Sequence, residues 1–451
     1  MFFLQHSIMF FLLILIIPFL HFIPNTAIPH VQPHPNTTIV APKASRGFSV
    51  PLYHRAMLYR EEFNLTKVTS SNYDAQKTMF TTGLYDRLNG AYVAYFMVGD
   101  PPQRQALLLD IGSDLLWVQC QPCITCFNQT DNLEFDPKES SSYREISCNS
   151  ALCNHDENYI FGCDGTIDRT SKNDCRFQIL YADGSIASGK MITETLGFFS
   201  DVRTLENILV GCANNNLGYF DEETSGILGL GLGYYSLINQ LKVTNFSFCL
   251  PGPDFIYGST LGMSYTEPEK DNTITVPLLL NPLHPSHYFV GFQGISLNNQ
   301  MVPIPSSYWE FSTNPESNID GGVLVDSGAS VSWMPTQVYE IFSTNFVQLT
   351  NMIQEKPPDS TTFNTCFSTR STSRSVPEVK FHFTNAYSLT LTMEQLFWRY
   401  SLQNKPDMLC LAFHHGLGFG FTIIGSKQLQ GARQTYDLVN MNLKLTPNEC
   451  Y

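Results

Sequence analysis

The sequence predicts an all-β fold of two similar lobes, on three observations: a composition that suits strands, a scarcity of helical periodicity, and an internal duplication. Of 451 residues 43% are hydrophobic, enough to bury more than one substantial core. Charged residues make up only 15% and aromatic residues 13% of the chain, a mix that favours many short strands and turns over long surface helices. Two stretches read as short helices. One is Ser236 to Leu241; the other runs from Thr336 to Met352 after Pro335, with apolar residues at Val338, Ile341, Phe342 and Phe346.

The duplication pairs Ala106 to Trp117 (ALLLDIGSDLLW) with Gly322 to Trp333 (GVLVDSGASVSW). Each copy is an apolar strand that ends in Asp-x-Gly followed by Ser or Ala, then a second apolar segment. A further pair follows in the same order, Gly226 to Gly231 (GILGLG) and Phe421 to Gly425 (FTIIG), so the chain divides into two lobes of one design. The lobes are expected at 90–265 and 286–451. A connection at 266–285 carries the Pro-containing stretch LLLNPLHP, Leu278 to Pro285.

Before Gly90 the reading changes. The apolar run Ile8 to Ile23 (IMFFLLILIIPFLHFI) has the length of a signal-peptide core, placing a signal peptide at 1–25. No basic residue precedes it, the first being Lys43, so a retained membrane anchor is the alternative. The following polar, Pro-broken stretch, 26–89, reads as a leader; residues 1–89 hold seven Lys/Arg against four Asp/Glu, mildly basic ahead of an acidic body. From Gly90 the pattern AYVAYFMVG, DPPQ, ALLLDIG is strand, turn, strand.

A formal net charge of -14 argues against nucleic acid as a partner, because phosphate binding needs a basic surface. The twelve cysteines all lie between Cys120 and Cys450. The spacing of Cys120, Cys123 and Cys126 also occurs at zinc sites, but export with disulfides accounts for an even number of cysteines with no metal. Four Asn-x-Ser/Thr sequons, at Asn36, Asn64, Asn128 and Asn245, are candidate glycosylation sites and fit a secretory route.

A carboxylate at the end of an apolar strand is disfavoured by desolvation unless something compensates it. If the lobes meet face to face, Asp110 and Asp326 come together and share one proton, since two ionised carboxylates in contact repel. One acid and one base then coexist. Such a pair can deprotonate a water as it attacks a peptide carbonyl and protonate the developing oxyanion, with no metal, cofactor or covalent nucleophile. Gly112 and Gly328 let the backbone turn its N–H groups toward the carboxylates, and Ser113 is placed to hydrogen-bond Asp110. Farther on, Asp183-Gly184 is a strong tight-turn dipeptide, and Tyr181 just before it could cover a groove.

Taken together these motifs resemble the pepsin-type aspartic proteases, and among them the plant nepenthesin-like, cysteine-rich branch. GFSVPLYHR (Gly47 to Arg55) is similar to that branch's leader, and DIGSDLLWVQCQPCITC (Asp110 to Cys126) to its first active-site loop. YADGSIASG (Tyr181 to Gly189) looks like the flap, SGILGLG (Ser225 to Gly231) like the partner motif of the first lobe, and IIGSKQLQG with TYDL (Ile423 to Leu438) like the closing segment. The resemblance implies a bilobal pepsin-like double β-barrel fold with the active-site cleft between lobes. It implies Tyr181 as the flap tyrosine, Trp117 as its hydrogen-bonding neighbour, and disulfides in and beside an insertion that holds the seven cysteines from Cys120 to Cys175. It further implies a secreted, monomeric enzyme acting on protein or peptide substrates at acid pH, outside the cell or in a vacuole, with membrane contact only if the apolar N-terminus is retained.

One residue departs from the family. Position 111 is Ile where the pattern has Thr or Ser, whose hydroxyl reaches across to the opposite loop; Ser327 can supply the reciprocal arm. An active endopeptidase is therefore one expectation. A catalytically weak or silent protein that binds a peptide, inhibitor or glycosidase in the same cleft is the alternative.

Overall fold

The computed structural model describes residues 48–54, 91–130, 133–153, 163, 173–198, 201–252, 259–263, 270–312, 320–357, 363–370, 375–400, 407–416, 418 and 420–450, the segments 48–54 and 201–203 by backbone only. The apolar N-terminal run, Asn36, Asn64 and most of the stretch expected as a leader lie outside the described residues.

The first lobe is built from β1 (Phe48–His54), β2 (Tyr92–Val98), β3 (Gln103–Asp110), β4 (Trp117–Gln119), β5 (Arg176–Leu180), β6 (Ile186–Phe198), β7 (Asp201–Leu217), β8 (Gly226–Gly229), the short helix α1 (Leu237–Gln240), β9 (Asn245–Cys249) and β10 (Ser259–Met263). β2 and β3 form the hairpin that the strand–turn–strand pattern predicts, Val93 opposite Leu108 and Val98 opposite Gln103. β2 is buried almost throughout, which is why it reads as a continuous apolar run rather than an alternating one. The Ser236 hydroxyl caps α1, accepting from Asn239 N at 3.2 Å.

The second lobe uses β11 (Ile274–Leu279), β12 (Phe289–Val290), β13 (Val323–Asp326), β14 (Ser332–Met334), α2 (Thr336–Leu349), β15 (Phe413–His415), β16 (Thr422–Gly425), β17 (Arg433–Asp437) and β18 (Asn442–Thr446). α2 begins at Thr336 as expected and buries Val338, Tyr339, Phe342 and Phe346. It ends at Leu349 rather than Met352, because Thr350 is extended and its hydroxyl donates to Ser375 O at 2.8 Å.

The duplicated sequences fold into duplicated topology. β3 lies parallel to β8, Asp110 opposite Gly229, while β4 runs antiparallel to β8 and parallel to β7. In the second lobe β13 lies parallel to β16, Asp326 opposite Gly425, while β14 runs antiparallel to β16 and parallel to β15.

A sheet shared by both lobes joins them. Its strands follow the order β1, β10, β9, β17, β18, β11, all antiparallel, with Val50 opposite Leu261, Phe246 opposite Tyr436, and Val276 opposite Leu443. Phe246 and Tyr436 stack at 4.6 Å across the junction, and Cys249–Cys450 ties β9 to the C-terminus. β1 also pairs with β2, Leu52 opposite Ala94, so seven residues of the stretch read as leader are a strand of this sheet.

The twelve cysteines form six disulfides: Cys120–Cys212, Cys123–Cys126, Cys148–Cys163, Cys153–Cys175, Cys249–Cys450 and Cys366–Cys410. Six of the seven cysteines expected around the insertion pair among themselves, and Cys120 instead reaches Cys212 on β7. The spacing that also suits zinc is closed as disulfides.

Candidate active site

Asp110 and Asp326 end β3 and β13, and the two parallel ladders bring these strand ends to the same place at the lobe junction. Their carboxyls lie close enough for each to act on the protonation of the other. Gly112 N donates to Asp110 Oδ1 at 2.8 Å, Ser113 Oγ donates to Asp110 Oδ2 at 2.5 Å, and Gly328 N donates to Asp326 Oδ1 at 2.8 Å. Each glycine also faces the carboxyl of the other lobe. A Cβ on Gly112 would lie 2.5 Å from Asp326 Cγ, and one on Gly328 would collide with Asp110 Oδ1, so any larger residue would push the pair apart.

The environment makes the two carboxyls unlike. Burial, and then the charge of Asp110, push Asp326 up to about 8. Burial raises Asp110 too, but the hydrogen bonds from Ser113 and Gly112 oppose it. Their titration belongs to the pair. More donors converge on Asp110, which favours its charged form, while burial and the Asp110 charge favour the protonated form of Asp326.

The cross-lobe link expected from Ser327 is present: its hydroxyl accepts from Ile111 N at 3.1 Å and donates to Leu109 O at 3.0 Å. Ser327 is buried, and its own carbonyl accepts from Ser426 Oγ at 2.8 Å. Ile111 has no group to return the link. Its side chain is fully buried in the main core instead, so hydrocarbon packing stands where the family pattern has a hydrogen bond.

Above the pair, β5 and β6 form the expected hairpin. Tyr181 N donates to Ser185 O at 2.8 Å, Gly184 N to Tyr181 O at 2.9 Å, and Ser185 N to Asp183 Oδ1 at 2.8 Å. Gly184 has φ +84°, which favours glycine there. Asp183 and Gly184 are exposed at the tip and build the turn. Tyr181 points inward and accepts from Trp117 Nε1 at 2.7 Å. Burial and the nearby Asp110 charge raise the Tyr181 phenol well above its ordinary range, and the Ser113 hydroxyl lies within hydrogen-bonding reach of it. Trp117, Tyr181, Ser113 and Asp110 thus form one polar chain from flap to carboxylate.

Phe220 was not singled out in the sequence. It packs edge-on against Trp117 at 5.4 Å and Tyr181 at 6.3 Å and stacks on Phe127 at 5.1 Å, forming the wall beneath the flap. Its only sequence signal is an aromatic residue in a loop. Of the described sequons, Asn128 is exposed, whereas Asn245 opens β9 and is half-buried.

Two family models match, "Xylanase inhibitor N-terminal" over residues 92–260 and "Xylanase inhibitor C-terminal" over 287–447. The chain is 33% identical over 371 residues to Aspartic Protease in Guard Cell 2 of Arabidopsis thaliana, covering 81% of this chain and 74% of the relative. It is 29% identical over 365 residues to aspartic proteinase nepenthesin-2 of Nepenthes gracilis, covering 80% and 78%. Among solved structures, that of edgp aligns with a TM-score of 0.65 at 18% identity, over 89% of this chain and 94% of that one. Soybean basic 7S globulin aligns with a TM-score of 0.62 at 18% identity, over 88% and 95%.

Proposed function

Since the chain belongs to the pepsin-like aspartic protease family, in its plant nepenthesin-like, cysteine-rich branch, we propose that it is an endopeptidase in which Asp110 and Asp326 activate a water against a peptide bond. The observation that carries this reading is the meeting of the two carboxyls, each held by the backbone N–H of its own loop and faced by the glycine of the other. Asp110 takes a proton from the water as it attacks the carbonyl carbon. Asp326 gives its proton to the carbonyl oxygen, and a proton returned to the amine nitrogen lets the C–N bond break. Gly112, Ser113, Ser327 and Gly328 hold the carboxyls in place; Tyr181, supported by Trp117, covers the bound peptide.

The single-proton state spans the range between the titration of Asp110 and that of Asp326, so activity covers acid pH and falls as Asp326 deprotonates. Residues 1–25 act as a signal peptide and 26–89 as a leader removed near Gly90, leaving lobes at 90–265 and 286–451. The pairing of β1 with β2 and β10 supports a leader built into the shared sheet. Six disulfides support passage through an oxidising compartment, to the cell exterior or a vacuole.

Ile111 favours a second reading, a silent protein that binds a peptide, inhibitor or glycosidase in the same cleft. Incubation of an acid-unfolded protein with the purified chain between about pH 3 and 6 separates the two. The proteolytic reading expects fragments whose release a statine-containing peptide blocks. Binding of that peptide without fragments would favour the silent reading, and neither binding nor fragments would contradict both.

A further inference from the structure

The turn that leads into β12 carries two histidines, His284 and His287, that the mechanism does not use. β12 and β13 are antiparallel, Phe289 opposite Leu324, and Val325 N donates to Tyr288 O at 3.0 Å. Just before this ladder the chain turns, His287 N donating to His284 O at 3.3 Å. Side chains alternate between the faces of a strand, so Leu324 and Asp326 share one face, and Phe289, opposite Leu324, lies on it too. The packing agrees: Tyr288, Val323 and Val325 enter the main core, whereas Phe289 and Leu324 join Phe421 and Ile423 in a separate apolar cluster.

His284 folds back over that cluster. Its ring stacks on Phe289 at 6.3 Å, meets Phe421 edge-on at 5.2 Å and lies 5.9 Å from His287. Ser286 O, between the histidines, accepts from Leu232 N of the first lobe at 2.8 Å, which fixes the turn against the other side of the cleft. Both imidazoles remain partly exposed, above an apolar floor.

We propose that His287 and His284 head a substrate subsite beside Asp326 that selects a side chain ending in a carboxylate, Glu above Asp because the methylenes must cross the floor of Phe289 and Leu324. This rests on the cleft being a peptide-binding cleft. Among the described residues, Asp320 acts on His284, His284 acts on His287, Asp114 acts on the adjoining Tyr288, and Asp326 lies two residues beyond Leu324. Burial, and then His284, push His287 down to about 4, and burial lowers His284 with Asp320 opposing. An entering carboxylate supplies a counter-charge and brings or captures one proton. Near pH 4 to 5 that proton is at hand on one partner or the other; toward neutral pH it must be taken from solvent, so the preference falls as pH rises.

Peptides with a non-cleavable hydroxyethylene in place of the scissile bond test this without turnover. Four are needed, with Glu or Gln next to the isostere on one side or the other. Calorimetry at pH 4.5 on the full chain is expected to show the Glu peptide binding on the order of tenfold tighter than its Gln twin on one side. His287→Gln should remove that advantage, as should pH 7.5. Thermal melts report whether the variant folds, and His284→Gln provides a second variant with the same expected loss. Equal affinity of Glu and Gln peptides on both sides overturns the proposal, as does a preference that survives both substitutions. Failure to cleave protein while the Glu preference holds would sink the proteolytic reading alone. Failure of all four peptides to bind would sink both.

Discussion

Asp326 lies partly exposed on the cleft floor yet is held protonated far above the ordinary carboxylate value of 3.8, up to about 8. Between those values the folded chain binds more protons than the unfolded one, so this carboxyl's contribution to stability is complete below about pH 4 and lost as pH rises through 8. Asp326→Asn removes that loss. Its melting temperature relative to the native chain should climb by several degrees from pH 4 to pH 8, and a pH-independent gap would show that burial does not hold the proton there. Position 111 presents the opposite balance. Ile111→Thr would restore a reciprocal hydroxyl but remove buried hydrocarbon, at about 1 to 2 kcal/mol of stability. We expect a lower melting temperature together with a higher kcat; a lower melting temperature with unchanged kcat would mean that Ser327 alone suffices. Both aspartates and the missing hydroxyl were legible in the sequence, because the duplicated Asp-x-Gly names them. That the Ile111 side chain fills the core was not, since burial depends on what the other lobe presents.

At the scale of elements, the flap was legible as far as its turn. Asp183-Gly184 predicts a hairpin, and the structure forms one with Tyr181 at its base. Tyr181→Phe keeps the ring but leaves Trp117 Nε1 without the 2.7 Å acceptor and breaks the chain to Ser113. The expected result is a fall in kcat/KM of about ten- to a hundredfold with little change in melting temperature, measured on a chromogenic peptide. Full activity in the variant would remove the phenol from the account. What sequence could not supply at this scale is register across elements distant in the chain. His284, from the stretch read as a connection, reaches the strand that ends in Asp326 only because it stacks on Phe289 and β12 pairs with β13, and Phe220 reaches the flap from a loop whose own pattern says nothing of the contact.

At the scale of the whole molecule, the internal duplication foretold two lobes, and both parallel ladders repeat it strand for strand. The shared sheet was not legible, because its strands come from both lobes and from a stretch whose polar, Pro-broken context reads as leader. β1 pairs on both sides, with β2 and β10. A chain beginning at residue 91 should therefore melt several degrees below one beginning at residue 46, with faster amide exchange at Ala94 and Leu261; identical melts would show that β1 is dispensable. The central claim concerns the junction that this sheet holds together, two carboxyls sharing one proton and hydrolysing a peptide. The most direct test is the rate of peptide hydrolysis at about pH 4.5 by the native chain, Asp110→Asn and Asp326→Asn, each first shown to be folded. The account predicts turnover by the native chain and a loss of at least about a thousandfold in both variants. Turnover by either folded variant at a rate near that of the native chain would contradict it.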